Sequence, residues 1–193
     1  MPTIILLRHG ETVFNREGRI QGHADSPLTV KGTEQAFRYG LAIRALIQGE
    51  SGWTVISSPL GRCAQTTGIL CEAAGLDSGA ASFDDRLKEV DTGSLAGRLK
   101  SEVPPEAVAG SGLDHWVFRS PDGESHQAVS ARLASWLASL SPEDKIICVS
   151  HGIAGRVLRG LYLGQDPGLA MQSDSPQDAV FILRARGLER IGC

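Results

Sequence analysis

Two short apolar runs that lie far apart in the chain constrain its fold more than any other feature. Residues 4–7 read Ile-Ile-Leu-Leu, and residues 145–149 read Lys-Ile-Ile-Cys-Val. Neither run alternates between apolar and polar residues, which is typical of strands buried on both faces of a parallel sheet. The runs continue into Arg8-His9-Gly10 and Ser150-His151-Gly152. The sequence therefore predicts an α/β protein in which two histidines follow the ends of buried strands.

Helical and extended patterns alternate along the rest of the chain. Apolar residues recur at helical spacing after Gly152, at Ile153, Val157, Leu158 and Leu161. Trp136 falls on the apolar face of a helix that starts near Ser125, so we expect it in the core. The other predicted elements are helices at about 30–47 and 59–74 and strands at 53–57 and 179–183.

Local signals mark some of the boundaries of these elements. Thr29 is a predicted N-cap of the first long helix. Ser58 followed by Pro59 predicts a capped start with proline at the first helical position, and Gly75 predicts a left-handed end. Residues 99–122 contain two adjacent prolines and several glycines, which predicts a lid or variable insert.

Size and composition limit the kinds of protein that this chain can be. With 193 residues, we expect one domain spanning 1–193. A hydrophobic content of 41%, a charged content of 21% and a formal net charge of -3 are typical of a globular protein. Because no basic stripe is present, we expect no nucleic-acid partner.

The chain also lacks the patterns of membrane and secreted proteins. No apolar segment approaches the roughly 20 residues that cross a bilayer, and the first strand begins without a leader, so we expect a cytoplasmic protein with no membrane partner. The four cysteines have no paired spacing, which predicts free thiols. Histidines and acids also lack metal-binding spacing, so we expect no metal and no cofactor. The sequence leaves a homodimer open.

The ends of the predicted strands bring polar groups together. In an open α/β sheet, ligands bind beyond the carboxyl ends of the strands, where Arg8-His9, Ser57-Ser58 and Ser150-His151 stand. Arg8 and Arg62 can each bind an anion through planar, paired donors. Two nearby guanidinium groups also disfavour the charged imidazole, which predicts a pKa of His9 below the usual value of about 6.5. His9 is therefore our candidate nucleophile for a phosphoryl group.

Further motifs follow in an order that identifies a family resemblance. After RHGET at 8–12 come Asn15, GRIQG at 18–22, DSPLT at 25–29, SSPLGR at 57–62, LKEVDTG at 87–93, GES at 123–125 and VSHG at 149–152. With these motifs the chain resembles the histidine phosphatase superfamily of phosphoglycerate mutase-like enzymes, and is most similar to the small broad-specificity and alpha-ribazole-type phosphatases. The resemblance implies a three-layer α/β/α sandwich with a mainly parallel central sheet.

The resemblance also implies roles for single residues. It implies a covalent phosphohistidine at His9, and His151 as a donor to the transferring oxygens. Glu89 matches the family's acid and base position, with Asp91 as a local rival and Glu11 as a second rival that we interpret as structural. The phosphate contacts implied by the resemblance are Asn15, Gln21, Gly22 and Gly152, beside Arg8, Arg62 and His151.

Three functions remain open at this point. The first is hydrolysis of phosphate monoesters of small metabolites without a metal. The second is phosphoglycerate mutase activity, although the family's mutases resemble longer chains with basic residues and a tyrosine just after the acid, where this chain has Val90-Asp91-Thr92. The third is a non-catalytic module that binds a phosphate ligand or a protein. His23, His115 and His126 have no partner motif, so we expect them to be exposed or loosely hydrogen-bonded.

Overall fold

The computed structural model describes residues 1–110 and 112–193, and its centre is a six-stranded sheet. In chain order the strands are β1 (Thr3–Arg8), β2 (Trp53–Ser57), β3 (Ser82–Phe83), β4 (Lys145–Ser150), β5 (Ala179–Arg184) and β6 (Gly187–Gly192). Their order across the sheet is β3-β2-β4-β1-β5-β6. The first four strands pair in parallel, while β5 and β6 pair antiparallel at one side. The predicted mainly parallel sheet is confirmed.

Helices cover both faces of this sheet. They are α1 (Val13–Glu17), α2 (Val30–Leu46), α3 (Gly61–Ala74), α4 (His126–Ala138), α5 (Gly152–Leu163) and α6 (Pro167–Gln172). Ile5 and Leu7 pack on the side of α2 and α3, whereas Ile4 and Leu6 pack on the side of α4 and α5. All four side chains are at most 2% exposed. Burial on both faces explains why the run is continuously apolar, and it confirms the three-layer fold.

Two of the three predicted helix boundaries are confirmed, and one is wrong. Thr29 caps α2 by accepting a hydrogen bond from the backbone N–H of Gly32 (3.0 Å), and Gly75 ends α3 with φ of 73°. The predicted start of α3 at Ser58-Pro59 is wrong, because the helix begins at Gly61 after an uncapped Leu60. Asp25, from a distant loop, accepts the Arg62 N–H instead (3.2 Å). Residues remote in sequence therefore decide where α3 starts.

The segment 99–122 is irregular, as predicted. It contains four short 3-10 helices, at Lys100–Glu102, Pro105–Val108, Gly112–Asp114 and Trp116–Arg119. Val103 is buried with Ile20 and Leu95, and Trp116 packs against them. The segment therefore rests on the loop that follows α1. Patterns in the sequence did not predict α1, α6, β3 or β6, which are short or exposed.

The burial of one tryptophan, the state of the cysteines and the character of the helices bear on further predictions. Trp136 is 1% exposed, which confirms its place in the core. The thiols of Cys63, Cys71, Cys148 and Cys193 are free. In the part of the chain that the structure describes, no helix has both the length and the apolar character needed to cross a bilayer.

Candidate active site

The two predicted histidines meet at the carboxyl edge of the sheet. β1 and β4 pair in parallel with Arg8 opposite Ser150, so His9 and His151 leave the sheet side by side. The backbone N–H of His9 donates to the carbonyl of Ser150 (3.0 Å). Their imidazole rings lie 5.3 Å apart, centroid to centroid, at 62°. The convergence expected from the strand ends is therefore present.

The orientation of the His9 ring follows from its hydrogen bonds. Nδ1 lies 2.7 Å from the carbonyl oxygen of Gly10, and a carbonyl can only accept, so Nδ1 carries the proton. The uncharged ring then has its lone pair on Nε2. Thr66 and Gln177 hold the surrounding backbone, since the Thr66 hydroxyl accepts from Gly10 N–H (3.1 Å) and the Gln177 amide donates to the His9 carbonyl (3.0 Å).

The environment of His9 favours the neutral ring. Burial is the main cause that lowers the pKa of His9 well below 6.5, and the positive charges of Arg62 and Arg8 lower it further. The hydrogen bond to Gly10 acts in the opposite direction, with a smaller effect. The predicted direction of the shift is confirmed, although burial rather than charge is the larger cause. A neutral imidazole has the lone pair that a nucleophile needs.

The lowered pKa of His9 predicts a loss of stability in mild acid. An unfolded His9 takes up a proton near pH 6.5, whereas the folded ring resists it until a lower pH, so the free energy of unfolding falls as pH drops below about 6.5. The slope from one such group is at most about 1.4 kcal/mol per pH unit. We expect urea unfolding at pH 7.5, 6.5 and 5.5 to show a flatter decline in His9→Gln than in the wild type. Equal slopes of the free energy of unfolding against pH in the two proteins would show that His9 does not cause this pH dependence.

Arg62 is the most completely bonded cation of the site. Its side chain is buried, with donors to the carbonyls of Gly22 (2.8 Å) and Ala24 (3.0 Å) and a longer contact to Asp25 (3.4 Å). Its Nε also donates to Nδ1 of His151 (3.2 Å). These bonds hold the guanidinium in one orientation at the wall of the site.

Arg8 makes fewer hydrogen bonds to the protein than Arg62 does. One terminal nitrogen donates to the carbonyl of Ser175 (2.9 Å), and its buried Nε has no partner among the described residues. Burial is also the main cause that lowers the pKa of Arg8, although the nearby Glu89 opposes that shift. Arg8 therefore has donors free for an anion.

The ring of His151 is hydrogen-bonded to protein groups, whereas its expected role is to donate to a phosphate. Since Arg62 donates to Nδ1, the proton of the neutral ring is on Nε2, which lies 2.7 Å from the hydroxyl of Ser58. Burial lowers the pKa of His151 well below 6.5, and Arg62 adds to the effect. Both ring nitrogens are therefore occupied by protein groups. Donation from His151 to a phosphate stays a prediction, and it requires one of these partners to be exchanged.

Cys63 packs directly against His151. Its sulfur lies 3.4 Å from Nε2 of the ring and is completely buried. Burial raises the pKa of the Cys63 thiol to about 12, so the sulfur stays protonated at neutral pH. The structure thus places Cys63 as a packing residue.

Glu89 reaches the site from the loop between β3 and α4. One carboxylate oxygen accepts from the N–H groups of Val90 (3.0 Å) and Ala154 (2.9 Å), and the other accepts from Ile153 (3.1 Å). The last two donors belong to the first turn of α5, whose positive end stabilises a carboxylate. A Cβ at Gly152 would lie 3.6 Å from both Arg8 and Glu89, an ordinary contact distance, so this arrangement does not require glycine there.

The other two candidate acids point elsewhere. Glu11 accepts from Thr29 (3.0 Å) and pairs with Lys31 (3.0 Å), as its structural interpretation predicted. One oxygen of Asp91 accepts from the backbone of Gly93 (2.8 Å). Among the described residues, Glu89 is the single carboxylate that lines the cavity beside His9.

An ion pair holds the backbone that carries Glu89. Arg132 of α4 binds Glu124 through two nitrogens (2.9 and 2.8 Å). Its terminal nitrogens also donate to the carbonyls of Arg86, Lys88 and Glu89 (2.7, 2.8 and 3.0 Å). Arg132 therefore positions the loop that carries the acid, without contacting the cavity.

Replacing Arg132 by methionine should destabilise the protein. The change leaves the carbonyls of Arg86 and Lys88 without this donor, while His23 still donates to the Glu89 carbonyl (2.8 Å) and the Asp91 N–H still donates to Glu124 (3.0 Å). We expect the free energy of unfolding to fall by about 2 kcal/mol. Urea unfolding measures this loss, with Arg44→Met, an exposed change on α2, as the matched control. A loss below about 0.5 kcal/mol would show that water replaces Arg132.

The predicted phosphate contacts surround one cavity of about 280 Å³. Asn15 accepts from Thr12 N–H (3.2 Å) and from Gln177 (3.3 Å), which leaves its amide nitrogen free, while the buried oxygen of Gln21 has no partner. Gly22 has φ of 52° and lies against Thr92 where a Cβ would collide. The predicted residues that line the cavity are Arg8, His9, Asn15, Gln21, Gly22, Arg62, Glu89 and Gly152. His151 is the one predicted residue that does not.

Several wall residues were missed by sequence reasoning. His115, which was expected to be exposed or loosely hydrogen-bonded, is half-buried, and its Nδ1 accepts one long hydrogen bond from the Val117 N–H (3.3 Å). Its place in the cavity wall was not predicted. Arg156 follows Gly152 by one helical turn, a spacing that could have predicted it. The others come from segments without a recognisable pattern: Arg19, Thr92, Lys100, Trp116 and Ser175.

Known proteins resemble this chain in sequence and in structure. The family described as the histidine phosphatase superfamily (branch 1) matches residues 4–188. The "Probable phosphoglycerate mutase GpmB" of Salmonella arizonae is 41% identical over 174 residues, which span 85% of this chain and 76% of the relative.

Two solved structures share the fold at lower identity. A mycobacterial glucosyl-3-phosphoglycerate phosphatase aligns with a TM-score of 0.77 and 23% identity over 93% of this chain and 90% of its own. A putative alpha-ribazole-5'-P phosphatase from Escherichia coli aligns with a TM-score of 0.76 and 23% identity over 98% and 94%. These structural likenesses show the fold alone.

Proposed function

Because the chain belongs to the histidine phosphatase superfamily, we propose that it is a phosphomonoesterase that acts on small phosphorylated metabolites through a phosphohistidine at His9. The observation that carries the proposal is the state of the His9 ring. Its proton is held on Nδ1 by the Gly10 carbonyl, so the Nε2 lone pair is available in a cavity that Arg8 and Arg62 also line.

The reaction proceeds in two displacements. Nε2 of His9 attacks phosphorus, and the bond from phosphorus to the ester oxygen breaks as the new N–P bond forms. Glu89 donates a proton to the leaving oxygen. Water then attacks the phosphohistidine, Glu89 takes a proton from it, and inorganic phosphate leaves while His9 is restored.

The cations of the site stabilise the charge that spreads over the transferring oxygens. Arg62 is held in place by its bonds to Gly22 and Ala24, so it needs little rearrangement to meet the phosphate. Arg8 offers its unpartnered Nε. Positioned cations are the main source of catalysis in phosphoryl transfer. The mechanism needs no metal, and among the described residues no group of three or more His, Cys, Asp or Glu side chains is placed to hold one.

The dimensions of the cavity support a small substrate. Its 280 Å³ lie just below the range of roughly 300 to 1,000 Å³ that is typical of pockets for drug-sized ligands. A phosphorylated molecule of a few carbon atoms fits this space better than a nucleotide does.

Phosphoglycerate mutase activity is the second candidate function. The relative from Salmonella arizonae supports it, since that protein is named a probable phosphoglycerate mutase and shares 41% of its residues with this chain over the aligned part. A mutase uses the same phosphohistidine but returns the phosphoryl group to the sugar acid instead of to water. The two functions therefore differ in how well the site excludes water.

The experiment that tests the proposal follows the phosphoryl group. Phosphate release from p-nitrophenyl phosphate and from 3-phosphoglycerate is measured in EDTA, together with conversion of 3-phosphoglycerate to its isomer. Rapid quenching and mass spectrometry then locate the phosphoryl group on the protein. Phosphate release with a label on His9 supports the phosphatase, and isomerisation without release supports the mutase. Binding of phosphate esters with neither activity would support a non-catalytic module and overturn both proposals.

A further inference from the structure

Unpartnered polar groups are concentrated in the wall of the cavity. In the described part of the chain, six buried side-chain nitrogen or oxygen atoms have no hydrogen-bond partner, and four belong to residues that line this cavity: Arg8, Gln21, Thr92 and Arg156. Buried polar groups are normally paired, so such a concentration indicates a ligand that supplies the partners. Arg8, Gln21 and Thr92 belong to the phosphate end or its immediate surroundings. Arg156 has no part in the mechanism above.

Arg156 is a half-buried cation without an ion pair among the described residues, although the charges of Glu89 and Asp174 oppose the lowering of its pKa by burial. Its Nε is buried and unpartnered, and its best contact is a long one from a terminal nitrogen to the carbonyl of Met171 (3.5 Å). The next arginine of α5, Arg159, has an ion pair and an aromatic partner. Arg159 pairs with Asp174 and stacks on Phe181, with its guanidinium carbon 3.9 Å from the ring centroid. None of the ion pairs among the described residues includes Arg156.

Arg156 lines the same cavity as Arg8 and His115, and its charge acts on both. Burial lowers the pKa of His115, and Arg156 is the next cause. Arg156 also contributes, less strongly, to the lowered pKa of Arg8. The cavity wall that includes Arg156 also includes Lys100, His115, Trp116 and Val117. A single phosphate bound by Arg8 and Arg62 would leave the buried Nε of Arg156 without a hydrogen-bond partner.

Resting on the proposed function, we propose that Arg156 binds a second anionic group of the substrate, a carboxylate or a further phosphate on the same small molecule. The guanidinium has planar, paired donors that match the oxygens of either group. Such a site disfavours substrates that lack the second anion, because a neutral hydroxyl can accept one hydrogen bond but offers neither the negative charge nor the paired oxygens that match a guanidinium. Arg156 is then a residue for substrate selection, on the first turns of the helix that also anchors Glu89.

Three ligands with the same carbon skeleton test this inference. Glycerol 3-phosphate has a hydroxymethyl group where 3-phosphoglycerate has a carboxylate and glycerol 1,3-bisphosphate has a second phosphate. Their affinities are measured by calorimetry on His9→Ala, which cannot turn them over, so the result does not depend on catalysis. The same measurement follows on His9→Ala carrying Arg156→Met, Arg156→Lys or, as the matched control, Arg44→Met, an exposed arginine on α2.

We expect at least one of the two doubly anionic ligands to bind His9→Ala about tenfold or more tightly than glycerol 3-phosphate does. Arg156→Met should reduce that ratio to within about threefold, Arg156→Lys should keep part of it, and Arg44→Met should leave it unchanged. The better of the two ligands identifies the second anion as carboxylate or phosphate. Affinity for glycerol 3-phosphate should change little in all variants.

Two results would overturn the inference. Equal affinity for all three ligands in His9→Ala would show that no second anion is bound. An equal loss for all three ligands in Arg156→Met, with a normal melting temperature, would assign Arg156 to the reacting phosphate instead. Failure of the proposed function is detected separately, as the absence of phosphate release by the wild-type protein. That result does not change the ratios of ligand affinity measured on His9→Ala.

Discussion

His9→Ala should lower kcat for every phosphate monoester by at least about 10⁴-fold, while the protein stays folded. Without Nε2 no N–P bond forms, and losing a nucleophile costs orders of magnitude that other groups do not restore. The melting temperature should fall by only a few degrees, because the lost ring contributes one hydrogen bond to Gly10 and modest packing. Phosphate release and thermal melting measure the two effects on the same preparation.

A histidine outside the cavity provides the control for this prediction. His126 lies at the start of α4, where it packs against Phe118 with ring centroids 5.0 Å apart, and it does not line the cavity. His126→Ala should keep its activity within a few-fold of wild type. Substantial turnover by His9→Ala, with no phosphohistidine detected in the wild type, would contradict the role of His9 and support direct attack by water.

Glu89→Gln should separate substrates by their leaving groups. An alkyl phosphate releases a strongly basic alkoxide, which needs a proton as the bond breaks, so we expect kcat/KM for glycerol 3-phosphate to fall by about 10² to 10⁴-fold. p-Nitrophenolate leaves without a proton, and kcat/KM for p-nitrophenyl phosphate should fall by no more than about tenfold. Because kcat/KM reports events up to the first irreversible step, the later activation of water does not affect this comparison.

The carboxylate also has a structural role, which the measurement must separate from catalysis. Glutamine keeps one acceptor oxygen but places an NH₂ group against one of the backbone N–H groups that Glu89 now binds. We expect a loss of about 1 kcal/mol in the free energy of unfolding, visible in urea titration. A uniform decrease in kcat/KM for both substrates would indicate that Glu89 acts only by anchoring α5.

Local patterns were sufficient to predict most of the sheet and the long helices. The runs at 4–7 and 145–149 are buried on both faces, so their apolar character is visible without any partner strand. The strands and helices that were missed have no such signal. β6 is an exposed edge strand that depends on its pairing with β5, and α6 has only six residues.

In the candidate site, too, local motifs predicted most of the residues, whereas contacts between distant elements were missed. Eight of the nine residues predicted for it line one cavity, because motifs at strand ends and helix starts carry them there. The ninth, His151, has the expected place beside His9 but a different hydrogen-bonding state. Sequence patterns could not predict that Arg62 and Ser58 occupy its two nitrogens, because these partners come from another strand and helix. Arg132 was missed for a similar reason, since its partners are backbone carbonyls of a remote loop.

By itself, the sequence determined the class of fold and most of the residues that line the cavity. The apolar runs and the motifs at strand ends are made of residues that are adjacent or one helical turn apart, where local patterns suffice. Tertiary structure alone decided the proton position on His151, the anchoring of Glu89 on α5 and the unpartnered Nε of Arg156 in the cavity wall. Hydrogen bonding and burial at these residues depend on strand register and on helices that are distant in the chain, and no local pattern encodes those distances.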